Sequence, residues 1–155
     1  MPGIVGQIWG ITNMDKIDHE LMEALIEVES SHNPRAFNPI SNARGLTQIT
    51  PIAWNDLTAH FPDRYGKLNY ERAMFKPDIA RQAGYDYLNI IRSYLRNSKM
   101  PQTLDNILAA YNFGIGNLKK FGLEGIPAET KNFITKIKTL LQPQKETIEQ
   151  EYNRS

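Results

Sequence analysis

The first predicted helix contains four glutamates, and one of them lies on the apolar face. On a helical wheel that starts at Leu21 and turns about 100° per residue, the apolar residues occupy an arc of roughly 160°. Glu29 falls inside that arc, near 80°, while Glu20, Glu23 and Glu27 fall on the opposite side. The apolar residues that define the arc are Leu21, Met22, Leu25, Ile26 and Val28.

A glutamate that turns inward is a candidate general acid. Removing a carboxylate from water disfavours its charged form, so its pKa rises toward neutrality, as an acid that works near neutral pH requires. The alternative is that Glu29 is a boundary residue paired with an arginine or with a helix N-terminus. The helical wheel alone leaves both interpretations open.

The composition indicates one globular domain and excludes several classes of protein. The chain has 155 residues, 41% of them hydrophobic, which is enough to bury a core without a disulfide or metal. With 18 basic and 17 acidic residues, a nucleic-acid partner is not favoured. The absence of cysteine excludes thiolate chemistry, and apolar runs such as 107–111 are far shorter than the ~20 residues of a membrane span.

The spacing of apolar residues predicts a mostly helical fold. No segment shows the sustained alternation that is typical of strands, so we expect a compact α-helical domain with a cleft and little or no sheet. The predicted helices run from Asp15 or Asp18 to about Ser31, from Asp78 to Arg96, from Leu104 to Tyr111 and from Glu129 to Leu141.

Several residues are typical of helix ends. Thr50 and Thr103 are expected to cap helices, and Gly114 with Gly116 is expected to end the helix that Thr103 begins. Residues 33–51 are rich in proline, asparagine and glycine, which predicts a polar loop that can line a site.

The chain is expected to consist of a central domain with an extension at each end. Residues 1–14 form an N-terminal extension, 15–141 the domain, and 142–155 a tail that contains Pro143. The tail is interpreted either as a frayed end or as a helix that binds a protein partner. Residues 1–14 carry no cation and are interrupted by glycines, so they do not resemble a secretory signal.

Short motifs after the inward glutamate resemble those of a known family. Segments 29–34, 45–51 and 110–114, with the sequences ESSHNP, GLTQITP and AYNFG, are similar in order to the first three motifs of the soluble lytic transglycosylase (SLT) domain family. Segment 127–134 resembles its closing motif. The resemblance runs from about Leu21 to Ile137 and implies a lysozyme-like fold. The expected long core helix also has the family's spacing at Pro77, Ile79, Gly84, Tyr87 and Leu88.

The resemblance implies a specific reaction on peptidoglycan. Glu29 would be the single catalytic carboxylate, which protonates the oxygen between N-acetylmuramic acid and N-acetylglucosamine and then acts as a base. The 6-hydroxyl of the muramic acid would attack, giving a 1,6-anhydro end without water. No second acid is expected in any matched motif, and Asp105 and Glu124 are interpreted as solvated charges. No cofactor or metal is expected, since His19, His32 and His60 are scattered.

The resemblance also implies a set of substrate-binding residues. Ser30 would hydrogen-bond near the glutamate, Gln48 would contact an N-acetyl sugar, and Tyr111 would shape the subsite beside the scissile bond. The alternatives are a helix-end hydroxyl, a surface-loop amide and a core aromatic ring, respectively. The full predicted set is Ser30, Gln48, Ile49, Tyr111, Asn112 and Phe133.

Phe133 departs from the family pattern, which usually has a tyrosine at this position. A phenyl ring keeps an apolar wall but cannot donate a hydrogen bond to the glutamate or the substrate. We expect this change to weaken the orientation of the acid or to alter its pKa without abolishing activity. A Phe133→Tyr variant with an unchanged rate and pH profile would contradict that expectation.

Two other functions stay open beside the lytic transglycosylase. One is a goose-type-like muramidase, which uses water in place of the internal hydroxyl, and the other is a non-catalytic peptidoglycan-binding module. In each case the partner is the peptidoglycan glycan strand, and a monomer is expected. The protein would work in the periplasm or at the cell wall, reached by a cleaved signal, lysis, a virion or a dedicated export machine.

Overall fold

The computed structural model describes residues 18–154, with side-chain surroundings through residue 142. Within this part of the chain the secondary structure is helical, and the only pairing of extended backbone is two isolated antiparallel bridges, Phe37 to Arg44 and Arg44 to Ile49. The prediction of a mostly helical fold with little or no sheet is therefore confirmed. The helices are α1 (18–30), α2 (Pro51–His60), α3 (Pro62–Tyr65), α4 (Tyr70–Ala73), α5 (Pro77–Asn97), α6 (Leu104–Phe113), α7 (Ile115–Phe121), a 3₁₀ turn (Leu123–Gly125) and α8 (Ala128–Arg154).

The core forms around the long helix α5. One side of α5 packs against α2 and another against α6, which in turn contacts α7 and α8. The amphipathic spacing predicted for this segment is observed, since most of its apolar positions are buried. Asp86 is the one charged residue of α5 that is buried, and it accepts hydrogen bonds from Arg64 and Tyr65. Two ion pairs join α1 to α5: Asp18 with Arg92 at 2.8 Å, and Glu23 with Arg81.

Helix α1 buries the face that the wheel predicts. Met22, Leu25 and Ile26 are completely buried, and Leu21 nearly so. The helix ends at residue 30, one residue earlier than predicted, and Ser31 and His32 both adopt left-handed backbone angles that reverse the chain. Asp18 is already inside the helix, while Asp15 and the extension 1–14 lie outside the described residues.

The loop from 31 to 50 is held close to the end of α4 by a glycine. Gly45 has φ +80°, and a Cβ added there would lie 1.8 Å from the carbonyl oxygen of Met74. No other residue type fits this approach without moving backbone. The loop is therefore fixed against the body of the domain although it carries almost no regular structure.

The caps predicted at Thr50 and Thr103 are observed, while the role predicted for Gly116 is not. Thr50 and Thr103 accept hydrogen bonds from the backbone of Ala53 and Asn106 at 3.2 and 3.1 Å. Gly114 ends α6 with φ +100°, but Gly116 does not share this role and lies inside α7.

The last helix is longer than predicted. The sequence places its end at Leu141, whereas α8 continues through Pro143 to Arg154. Proline removes one backbone hydrogen bond, but the glutamine, lysine and glutamate residues around it favour helix and continue the backbone path.

No helix in the described part of the chain is both long and apolar enough to cross a membrane.

Candidate active site

Glu29 lies near the end of α1 in a mostly enclosed position. Among the described residues its carboxylate has no hydrogen bond or ion pair. Burial raises the pKa of Glu29 to about 8, and the negative charge of Glu129 adds to the rise. The boundary-residue alternative named an arginine or a helix N-terminus as the partner, and among the described residues no arginine pairs with Glu29. Glu29 is thus held in its protonated form near neutral pH.

Two other glutamates of α1 have partners. Glu23 pairs with Arg81 of α5, and the hydrogen bond from Arg81 lowers the pKa of Glu23 below its usual value. Glu27 lies 3.0 Å from the Nε2 atom of His32. Glu29 differs from both, because among the described residues its carboxylate has no such partner and its pKa is raised.

Tyr111 connects Glu29 to a groove. Burial raises the pKa of Tyr111, and the nearby charge of Glu29 raises it further. The Tyr111 hydroxyl donates to the backbone oxygen of Thr47 at 2.6 Å. Its ring packs edge-on against Tyr87, with the ring centroids 5.4 Å apart, and parallel to Phe133 at 6.3 Å. Tyr111 is therefore fixed by both its polar end and its ring, with Glu29 beside it.

The groove itself is an open cavity of about 620 Å³ between α2 and the junction of α6 with α7. Apolar walls combined with a few amides and hydroxyls are typical of a site that binds a small molecule. Of the residues predicted from the sequence, Tyr111 and Asn112 line it. The lining residues are Ser41, Thr50, Pro51, Ile52, Asp56, Tyr87, Tyr111, Asn112, Phe113, Gly114, Ile115, Gly116 and Asn117.

Asn112 is oriented by the closing motif. The Thr130 hydroxyl, which is buried, donates to the Asn112 Oδ1 atom at 2.8 Å. This contact leaves the Asn112 amide nitrogen as the group that can donate into the groove. Thr130 was not predicted as a site residue, although it stands in the segment that resembles the closing motif.

Gln48 and Ser30 use their donors within the protein. The Gln48 amide nitrogen donates to the backbone oxygens of Ala36 and Gly45, at 3.1 and 3.0 Å. The Ser30 hydroxyl donates to the oxygen of Ile26 at 3.0 Å, which is the helix-end contact considered as its alternative. Neither residue lines the groove cavity, and each would reach a substrate only through its remaining acceptor oxygen.

Ile49 and Phe133 lie in the core. Their side chains are 1% and 4% exposed, and neither lines the groove. Phe133 supports the ring of Tyr111 from inside the domain, so it bears on the site through Tyr111. The apolar wall expected of Phe133 is therefore not a wall of the groove itself.

Glu129 is the residue that the sequence analysis missed. It lies in the first turn of α8, exposed, and its charge acts on Glu29. The expectation that the matched motifs offer no second acid is therefore wrong. Its place in the segment 127–134 was the available signal, but its proximity to Glu29 depends on how α8 packs.

Metal binding finds no support in the part of the chain that the structure describes. No group of three or more histidine, aspartate or glutamate side chains is arranged there to hold a metal ion.

Comparison with known proteins agrees with the motif pattern. The sequence matches the Transglycosylase SLT domain family over residues 8–134. The chain belongs to this family. As an SLT domain it also resembles a solved structure, the 70 kDa soluble lytic transglycosylase of Escherichia coli, with a TM-score of 0.62 and 23% sequence identity. The match covers 76% of this chain and 20% of that chain, so the SLT domain described here corresponds to about a fifth of the longer protein. The likeness shows that both share a lysozyme-like fold.

Proposed function

We propose that this SLT domain is a lytic transglycosylase that cleaves the β-1,4 bond between N-acetylmuramic acid and N-acetylglucosamine in peptidoglycan. The observation that supports this most is the state of Glu29, a carboxyl with no partner among the described residues and a pKa raised to about 8, beside a groove suited to sugars. A protonated carboxyl at this place is what the first step of glycosidic cleavage needs.

The proposed reaction uses one carboxyl twice. Glu29 gives its proton to the glycosidic oxygen, and the bond from that oxygen to C1 of the muramic acid breaks through an oxocarbenium-like transition state. The Glu29 carboxylate then takes the proton of the muramic acid 6-hydroxyl while the 6-oxygen bonds to C1. The product has a 1,6-anhydro end, Glu29 is protonated again, and no water is consumed.

The walls of the groove fit the proposed positioning. Tyr111 offers a ring that is held at both ends, and Asn112 offers an amide donor that Thr130 orients. These groups would hold the sugar beside Glu29, which contributes to rate through alignment of the reacting atoms.

A site that acts on peptidoglycan also requires the protein to work outside the cytoplasm, and we propose the periplasm or the cell-wall face.

Glu129 favours a second candidate function, that of a muramidase. Ordinary glycosidases use two carboxylates, one as acid and one as base or nucleophile. Glu129 is a second carboxylate close enough to influence Glu29, so it could activate a water in place of the internal hydroxyl. The two reactions give different ends on the same sugar and can be separated by mass.

Mass spectrometry of the fragments released from purified peptidoglycan tests the proposal. We expect anhydro-ended muropeptides with the wild-type protein and none with Glu29→Gln, which keeps the shape of the side chain but cannot give the proton. Reducing ends would establish the muramidase instead. Binding of the sacculus without fragments, by a protein whose circular dichroism is native, would indicate a non-catalytic binding module.

A further inference from the structure

A second, partly buried carboxylate lines the groove. Asp56 of α2 lines the groove cavity and also a neighbouring cavity of about 430 Å³. Ile115 and Gly116 of α7 line both cavities as well. The two spaces therefore meet at Asp56, which stands where a branch would leave the groove.

The smaller cavity has space for a ligand and is lined partly by polar residues. Its floor is the outer face of α5, and a Cβ added at Gly116 would meet no atom within 4 Å. The described residues that line it are Asp56, His60, Ile90, Ser93, Tyr94, Asn97, Ser98, Ile115 and Gly116. A chain with both apolar and hydrogen-bonding groups fits such a surface.

Asp56 is the only acidic side chain among the described residues that line the two cavities. Among the described residues its carboxylate makes no hydrogen bond or ion pair, and the larger cavity has no other acidic or basic side chain in its lining. His60 is near, but its Nδ1 atom lies 2.9 Å from the backbone oxygen of Asp56, to which it donates. Burial raises the pKa of Asp56, only partly offset by His60, and the charge of Asp56 raises that of Tyr87.

We infer that Asp56 binds an ammonium group of the substrate where the two cavities meet. A partly buried carboxylate in an otherwise uncharged groove creates a negative potential that a cation satisfies better than a neutral hydroxyl. This inference rests on the proposed function, because it takes peptidoglycan as the substrate. Two sources can supply the ammonium: a diamino acid in the peptide stem, which would branch into the smaller cavity, or a glucosamine that has lost its acetyl group.

Steady-state cleavage of three substrates by wild type and Asp56→Asn tests the inference. The first substrate is glycan strands with their stems, the second the same strands with all amines N-acetylated, and the third strands from which an amidase has removed the stems. Asp63→Asn is the matched control, because it removes the same charge from an exposed position on α3. Wild-type anhydro products from any of the strands test the proposed function separately.

We expect Asp56→Asn to raise KM for the intact strands about tenfold, with kcat little changed, since one charged hydrogen bond is lost. On N-acetylated strands the variant and the wild type should have the same KM, because the contact is absent from both. If the amine belongs to the stem, the two proteins also converge on stem-free strands; if it belongs to the sugar, the tenfold difference persists there. Equal loss on all three substrates, or no loss on any, would overturn the inference.

Discussion

Two glutamates on different faces of helix α1 have pKa values shifted in opposite directions. Glu23 faces α5 and meets Arg81, which lowers its pKa and keeps it charged. Glu29, less than two turns later, is shielded from water and lies near the like charge of Glu129, and both raise its pKa to about 8. The residue type therefore does not set the chemistry. The charge and the burial that the neighbouring element provides on each face decide whether a glutamate is ionised or protonated.

The largest expected effect comes from removing the proton donor. Glu29→Gln should lower kcat by about 10²- to 10⁴-fold, the range that general acid–base catalysis supplies, or by more because the group is used in both steps. Glu23→Gln should keep most of the activity, since it breaks an ion pair that lies on the other face. Initial rates of release of soluble fragments measure both variants.

Similar losses of kcat in Glu29→Gln and Glu23→Gln would contradict the different roles given to the two glutamates. In that case the activity would depend on the integrity of α1 rather than on the proton at Glu29. Thermal denaturation of each variant, followed by circular dichroism at neutral pH, distinguishes a folding defect from a chemical one.

The next effect is a pH dependence of stability with opposite signs on the two faces. Because the pKa of Glu29 is raised in the folded state, its stabilising contribution is complete below about 4.5 and is lost as the pH rises through about 8. The free energy of unfolding of the wild type should thus fall relative to Glu29→Gln across this window, by at most about 1.4 kcal/mol per pH unit.

For Glu23 the sign reverses. Its lowered pKa means that its contribution is present above its unfolded pKa and is lost as the pH falls. Since this ion pair is partly exposed, Glu23→Gln should change stability by only ~0–1 kcal/mol at neutral pH. Urea unfolding at a series of pH values gives both curves, and parallel curves for the two variants would contradict the assignment.

The smallest expected effect comes from removing the charge of Glu129, which adds to the raised pKa of Glu29. Glu129→Gln removes one cause of the raised pKa of Glu29, so the basic limb of the pH profile of kcat/KM should move to lower pH. Because Glu129 is exposed, the shift should shrink at high salt. Glu124→Gln, an exposed acid in the 3₁₀ turn, is the matched control and should leave the profile in place.

The local part of this arrangement was accessible from the sequence. The inward face of α1, the caps at Thr50 and Thr103 and the long helix α5 all follow from residues that are near one another in the chain. Glu29 was identified in the same way, because a helical wheel needs only one helix. Its enclosed position agrees with that prediction.

The remaining part depends on contacts between distant segments. Glu129 reaches Glu29, and the Tyr111 hydroxyl reaches the backbone of Thr47, only because α8, α6 and the loop pack together. The Gln48 amide turned inward for a similar reason, since the loop needed a donor for two of its own carbonyls. No local pattern distinguishes such an amide from one that faces a substrate.

The glycine in that loop has a consequence for any mutational scan of this protein. At position 45 even an alanine would collide with the carbonyl of Met74, so every replacement should disturb the loop and reduce activity. Yet Gly45 offers no functional group to a sugar. The loss of activity on substitution of Gly45 would report on the packing of the loop against Met74. A scan that scores activity alone would therefore count a structural residue as a catalytic one.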